Sequence, residues 1–204
     1  MDADPVELRV LGCLIEKQRT TPDQYPLSLN GLRLACNQST NRDPVTDYDE
    51  QTIRDALMRL SNRGWVRLAS GPGSRAVKYR HLANEALTLS DEELSLLAVL
   101  MLRGAQTPGE LKQRTERLHR FESLADLEAI LERLIARELV SRLPRRPGQK
   151  EVRYRQLLGG DGDGDAEGSA ASALAEGAAS VEDRLAALEE RVRRLETHTG
   201  VQPL

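Results

Sequence analysis

Aromatic residues are nearly missing from this chain: one Trp, one Phe and four Tyr among 204 residues. Leu and Ala fill the apolar positions instead, and charged residues make up 30% of the whole. That balance points to a helix-rich soluble protein. Only two cysteines are present, Cys13 and Cys36, each set among apolar residues on a predicted helix. Two such residues cannot build a disulfide framework, and they read as buried thiols. Long hydrophobic stretches are absent as well. The longest apolar run, Leu96–Leu102, is far too short to span a bilayer. The first residues, MDADPVE, are acidic and lack the apolar core of a signal peptide, so the expected compartment is the cytoplasm and no membrane partner is expected.

Catalytic and metal-binding patterns are equally scarce. His81, His119 and His198 are scattered, and no Cys/His spacing suits zinc. The segment GPGSR lacks the spacing and the Lys-Ser/Thr of a phosphate loop. An Asp-x-Asp-x-Asp start at Asp161 has Ala166 and Ser172 where a calcium loop needs Gly and Glu. The expectation is a protein that is not an enzyme and needs no cofactor. A strong excess of positive charge is missing too, since the net charge is −3. The distribution qualifies that sum. Residues 1–82 carry 12 Lys/Arg against 10 Asp/Glu, residues 83–158 carry 13 against 12, and residues 159–204 carry 4 against 10. A slightly basic body carries an acidic tail.

What the chain does contain is an internal repeat. AVKYRHL (76–82) matches EVRYRQL (151–157), and GPGSR (71–75) matches RPGQK (146–150), both at an offset of 75. Ile53, Leu57, Leu60 and Val66 match Leu127, Leu131, Leu134 and Val140 at an offset of 74. ELRVLGCL (7–14) matches ELSLLAVL (93–100), and Thr21-Pro22 matches Thr107-Pro108, at an offset of 86. The first copy is therefore about a dozen residues longer between its first and third helices. Each copy opens on a capped helix, at Asp4-Pro5-Val6-Glu7 and at Ser90-Asp91-Glu92-Glu93. A third helix with apolar residues at i, i+4 and i+7 runs into two strand-like stretches around a Pro-Gly turn. Those stretches are Trp65–Ala69 with Ala76–His81, and Leu139–Leu143 with Glu151–Gln156.

Three helices and a β-hairpin form the winged-helix pattern. The expected fold is mainly α with small β-hairpins, an α+β chain of two tandem winged-helix domains (1–83 and 84–158). A Gly/Ala/Ser/Asp linker (159–180) and an amphipathic coiled-coil-like helix (181–197) follow. YPLSLNGLRLACNQSTNRDPV (25–45), preceded by EKQRTTPDQ (16–24), resembles the YceH-like family of bacterial proteins. The resemblance covers about residues 5–158. It implies two tandem winged helices with a regulatory or DNA-associated role, and it brings no catalytic or binding residues with it.

In a winged helix the third helix enters the major groove. In the first copy Ile53, Ala56, Leu57 and Leu60 form the inner face; Gln51, Asp55, Met58, Arg59 and Asn62 lie opposite, flanked by Arg54 and Arg63. Gln, Asn and Arg suit base edges and phosphates, whereas Asp55 opposes them. The same face in the second copy is Ala125, Ala129, Glu132, Arg133 and Ala136, better suited to packing against protein. Its wing is basic, with Arg145, Arg146, Lys150 and Arg153. The polar connection between the second and third helices, NQSTNRDPVTDYD, is explained in part by turn formation. Asn37 is a candidate left-handed cap and Asp49 a candidate helix start. Gln38, Asn41 and Arg42 are left over, and the expectation is that they contact a phosphate backbone or an acidic partner surface. In the tail, Val181, Leu185, Leu188, Val192 and Leu195 are spaced 4-3-4-3, and Arg184 and Arg191 can face Glu189 and Glu196 of a parallel partner. The reading is a DNA-binding, transcription-regulator-like protein on double-stranded DNA, with a parallel homo-oligomer as a further possibility. The alternative is a protein–protein adaptor of the chromosome segregation and condensation type that does not touch DNA.

Overall fold

The computed structural model describes residues 3–69, 77–145 and 151–159, which fall within one compact unit. The chain is α+β, with seven helices and two small antiparallel sheets among the described residues. It opens with α1 (Pro5–Thr20), a 3-10 turn (Pro22–Gln24), β1 (Leu27–Ser28), α2 (Leu29–Cys36) and α3 (Glu50–Asn62). Then come β2 (Val66–Leu68), β3 (Lys78–His81) and a one-turn α4 (Ala83–Ala86) that the sequence pattern did not announce. The second half is α5 (Asp91–Arg103), α6 (Pro108–Thr115), α7 (Leu124–Ala136), β4 (Val140–Leu143) and β5 (Arg153–Gln156).

Local chemistry sets the helix starts. Asp4 accepts the Glu7 N–H at 2.8 Å while Glu7 accepts the Asp4 N–H at 2.8 Å. Ser90 with Glu93, and Thr107 with Glu110, form the same reciprocal box. Ser123 and Asp126 add a fourth box, and Asp49 caps α3 by accepting the Thr52 N–H at 2.7 Å.

The order of elements recurs along the chain, and the strands refine the alignment of the two copies. β1 pairs with β3 at Leu27↔Tyr79, and Gln106 pairs with Tyr154 of β5 in the matching place. Each of these strand positions leads straight into a second helix, so Ser28, the N-cap of α2, corresponds to Thr107, the N-cap of α6. The Thr-Pro match therefore does not survive: Thr21-Pro22 begins the 3-10 turn, and only Thr107-Pro108 starts a helix. The extra length of the first copy is spread over three places. Helix α1 has 16 residues where α5 has 13. The connector 21–28 answers 104–107, and the loop 37–49 answers 116–123.

The first helices of the two copies form the centre. Val10–Ile15 of α1 and Leu94–Leu102 of α5 are buried throughout, which explains why the apolar run in α5 shows no amphipathic stripe. A Cβ on Gly12 would stand 2.9 Å from Leu102 Cγ, so the absent side chain is what allows α1 to approach α5 this closely. Arg19 near the end of α1 pairs with Asp91 at the start of α5. One apolar cluster runs through both copies, from Leu8 and Leu11 through Leu57 and Trp65 to Leu131 and Tyr154. The termini of the unit are joined where the Ala3 N–H donates to the Leu158 carbonyl at 2.9 Å.

Candidate functional site

Helix α3 divides as its periodicity requires. Ile53, Ala56, Leu57 and Leu60 are buried. Gln51, Arg54, Met58, Arg59 and Asn62 are exposed, Asp55 is half-buried, and Arg63 closes the helix. The side chains on this outer face are engaged to different degrees. Gln51 donates to Asp55 at 2.8 Å, and Arg54 reaches Gln51 at 3.4 Å. Met58 is 57% exposed, an unusual position for a large apolar side chain on a helix otherwise well sorted.

Arg59 and Arg63 turn back to the protein. Arg59 pairs with Asp4 at 2.6 Å and lies 3.7 Å from Glu7; Arg63 pairs with Glu7 at 3.1 Å and covers the Trp65 ring at 5.8 Å. Glu7 is 1% exposed, so its carboxylate needs these partners. The second copy repeats the device: Glu93 is held by Arg133 at 3.8 Å and by Arg137 at 3.3 Å. Both acids also complete a capping box. One carboxylate thus fixes the start of the first helix and clamps the third helix against it, in each copy. The signal was present in the repeat, because Arg59 and Arg63 match Arg133 and Arg137 at the same offset of 74 as the core leucines.

The long loop is where the structure departs most from expectation. Arg42 does not face outward; its side chain is fully buried. It pairs with Glu16 of α1 at 2.6 and 3.1 Å, and donates to the carbonyls of Ala35 at 3.0 Å and Asn41 at 2.7 Å and to Gln38 at 3.1 Å. Burial opposes the charge, but the bonds to Glu16 outweigh it and raise the Arg42 pKa. Gln38 also accepts from Lys17 at 3.4 Å. Asn41, in the left-handed region at φ 60°, accepts from Arg103 at the end of α5. The Asp43 N–H donates to the Leu102 carbonyl at 2.9 Å, satisfying one of the acceptors that α5 leaves open at its C-terminus. The loop is a strap from α1 and α2 of the first copy to α5 of the second. The expectation that Arg42 contacts a partner is corrected: its hydrogen-bonding groups meet acceptors inside the protein.

Asn37 is corrected as well. Its backbone, at φ −93°, is not left-handed. Instead its side chain acts as a strand would, donating to the Tyr48 carbonyl at 2.8 Å and accepting the Tyr48 N–H at 2.9 Å. Asp43 and Asp47 of the loop are exposed, and so are Asp49, the N-cap of α3, and Glu50, its first residue. Among the described residues six large apolar side chains are exposed, five in the first copy (Leu34, Val45, Met58, Leu68 and Val77) and Leu124 in the second.

Of the basic wing, Arg145 is exposed and Arg153 is half-buried on β5. Arg146 and Lys150 lie outside the described residues, as do the linker and the proposed oligomerisation positions Val181, Leu185, Leu188, Val192 and Leu195. The Ala-lined outer face of α7 is exposed at Ala125, Ala129 and Ala136. Among the described residues no group of His, Cys, Asp and Glu is placed to hold a metal ion, and no helix is long and apolar enough to cross a membrane.

His81 is the buried titratable group whose state the structure fixes most clearly. Its Nε2 lies 2.6 Å from Gln18 Oε1 and its Nδ1 accepts the Ala83 N–H at 3.4 Å, which assigns the proton to Nε2. Burial pushes its pKa down to about 4. The Tyr25 hydroxyl accepts the His81 N–H at 2.8 Å, and burial pushes that phenol up to about 12.

Comparison with known proteins agrees with the resemblance and extends it. A family profile described as "Protein of unknown function, DUF480" matches residues 3–149. The proteins named UPF0502 protein YceH from Salmonella paratyphi B, Salmonella typhimurium and Salmonella typhi are each similar to this chain at 45% identity over 206 residues. Those alignments cover 95% of this chain and 96% of each relative, and so reach beyond residues 5–158. The chain belongs to the DUF480 family of bacterial proteins, and it is similar to the YceH proteins over nearly their whole length.

Proposed function

We propose that this chain is a non-enzymatic cytoplasmic binding protein built from two tandem winged helices, and that its first copy docks a protein partner on the outer face of α3. The winged-helix reading is supported by the order helix, strand position, helix, helix, hairpin, which occurs twice. The observation that carries the choice of partner is the disposition of charge around α3. Arg42 is buried, Arg59 is held by Asp4 and Glu7 and Arg63 by Glu7, and the exposed acids Asp47, Asp49 and Glu50 run directly into the helix start. A phosphate backbone approaching that end meets carboxylates, which oppose it, while exposed Met58, Leu34 and Val45 suit an apolar protein contact.

A second reading, duplex-DNA binding by a regulator, is favoured by the residue types on the same face. Gln51, Arg54 and Asn62 are exposed and of the kinds that read base edges, and Arg145 is exposed on the second wing. A salt titration of duplex binding by the full chain separates the two. A DNA regulator loses affinity steeply as salt rises, in proportion to the phosphates neutralised; an adaptor shows no salt-dependent duplex binding at all. Capture from nuclease-treated host lysate then tests the adaptor directly. The same partner is retained by the wild type and lost by Met58→Glu, and a partner indifferent to that change refutes the α3 face. The tail is proposed to join copies through Val181, Leu185, Leu188, Val192 and Leu195. Sedimentation of the chain with and without residues 159–204 tests it, and the same monomer mass for both defeats it.

A further inference from the structure

The end of α2 and the start of α3 make a surface of mixed character. The Asn37 side chain holds the Tyr48 backbone through its two hydrogen bonds, and the Thr46 hydroxyl donates to the Cys36 carbonyl at 3.4 Å. Residues 45–48 are thereby fastened beside the last turn of α2. Leu34 stands about one helical turn before Asn37, and Val45 directly precedes Thr46. Both are more than half exposed, at 57% and 59%. Asp47, Asp49 and Glu50 follow, all exposed. Exposed Met58 lies on the same stripe of α3 as Gln51, two turns further on. Residues 43–58 hold five acids and one base, Arg54, which reaches Gln51 at 3.4 Å. The neighbouring cations are engaged within the protein, Arg42 by Glu16 and Arg59 and Arg63 by Asp4 and Glu7. Asp43, Asp47 and Glu50 have no ion-pair partner among the described residues. The face is therefore aliphatic and acidic at once. It repels phosphate and anionic lipid, and a second copy meeting it by two-fold symmetry brings the same acids together. A cationic segment that also carries aliphatic side chains matches it.

We propose that this face receives a segment of a partner protein in which Lys or Arg stands beside Leu, Ile or Val. The proposal rests on the reading that the first copy docks a protein on α3, and it adds the chemistry of that partner. Leu34, Val45 and Met58 take the aliphatic side chains, while Asp47, Asp49 and Glu50 take the cations. At 1.5 Å per residue, Glu50 and Met58 lie about 12 Å apart along the α3 axis. A segment reaching both carries a base and an aliphatic side chain about 12 Å apart, which is about eight residues of helix or about four of extended chain. The attraction steers the encounter and is screened by salt, while the apolar contact holds the complex once formed.

The test uses the full chain and two fluorescein-labelled synthetic peptides of one pattern, the first of leucines and lysines, the second of leucines and glutamates. Binding is read by anisotropy. The lysine peptide is expected to bind the wild type, more weakly as salt rises, and the glutamate peptide is not. Asp47→Asn, Asp49→Asn and Glu50→Gln together are expected to weaken the lysine peptide roughly 3-fold or more, the modest worth of three exposed pairs. Asparagine preserves the cap of α3. Leu34→Ser with Val45→Ser is expected to weaken it as well. The same loss of charge in the second copy, through Glu122→Gln, Glu128→Gln and Glu138→Gln, is expected to change nothing. The proposal is overturned if neither peptide binds, if the glutamate peptide binds as tightly as the lysine one, or if the second-copy change weakens binding as much as the first. It is equally overturned if the wild type sediments as a dimer that Leu34→Ser with Val45→Ser dissociates, because a second copy then covers the face. Met58→Ser separates this proposal from the docking reading beneath it. A glutamate peptide that binds and is lost with Met58→Ser removes the cationic partner and keeps the α3 face. A lysine peptide held by Asp47 and Glu50 but indifferent to Met58→Ser keeps the cationic partner and refutes the α3 face.

Discussion

Replacing Arg42 with alanine distinguishes a structural strap from a binding loop. The side chain is fully buried and neutralises Glu16, itself only 13% exposed, while also serving the Ala35 and Asn41 carbonyls and Gln38. Breaking a buried pair by removing one partner costs about 3–5 kcal/mol, and here Glu16 would keep only the longer contact to Lys17 at 3.7 Å. Orphaned carbonyls add to that cost, at about 1–3 kcal/mol each when nothing replaces the donor. The loop can relax, so the lower estimate of about 3–5 kcal/mol in total is the sound expectation. A domain of this size has about 5–15 kcal/mol to lose. The expected drop in melting temperature is then roughly 6–20 °C, at about 2–4 °C per kcal/mol for a chain of this length. Far-ultraviolet circular dichroism measures both, the free-energy loss from urea denaturation and the temperature shift from thermal melts. A cycle with Glu16→Gln shows whether the loss belongs to the pair, since the double variant should lose less than the sum of the singles. A change within about 0.5 kcal/mol, as an exposed loop arginine would give, refutes the reasoning.

Three further outcomes follow from other parts of the molecule. His81 binds a proton less readily when folded, at about 4 against the ordinary 6.5, so the unfolded chain takes up protons first. Its contribution, about 3 kcal/mol, is present above about pH 6.5 and lost as pH falls toward 4; urea midpoints at neutral and acid pH should show the fall, and His81→Gln should flatten it. Glu7→Gln and Glu93→Gln each weaken a duplicated clamp and cap, and each should lower stability by roughly 1–3 kcal/mol in thermal melts; a loss from only one of them would contradict the equivalence of the two sites. Gly12→Val should cost about 1–3 kcal/mol by forcing α1 from Leu102, despite the gain in helix propensity, and an unchanged or raised melting temperature would show that the approach of α1 to α5 is not tight.

Sequence alone pointed to the principal helices, the two hairpins and the repeat between them, though not to α4 or β1. Helix caps at Asp4, Ser90, Thr107 and Asp49 act within a single turn, and the apolar spacing of α3 and α7 sorts residues by a fixed helical period, so both are legible without contacts. The inner face of α3 and the four predicted strands come from that local information. Tertiary structure decided the roles of the arginines that pair across the chain. Arg42, Arg59 and Arg63 look alike on paper, yet Glu16 and Glu7 bury or hold them from positions 26 to 56 residues away in the chain. The strap from Asp43 to Leu102 likewise depends on helices brought together by the shared core. Periodicity tells which side of a helix faces inward. It does not tell which distant acid waits beside an arginine, because long side chains choose their partners only after the helices have packed.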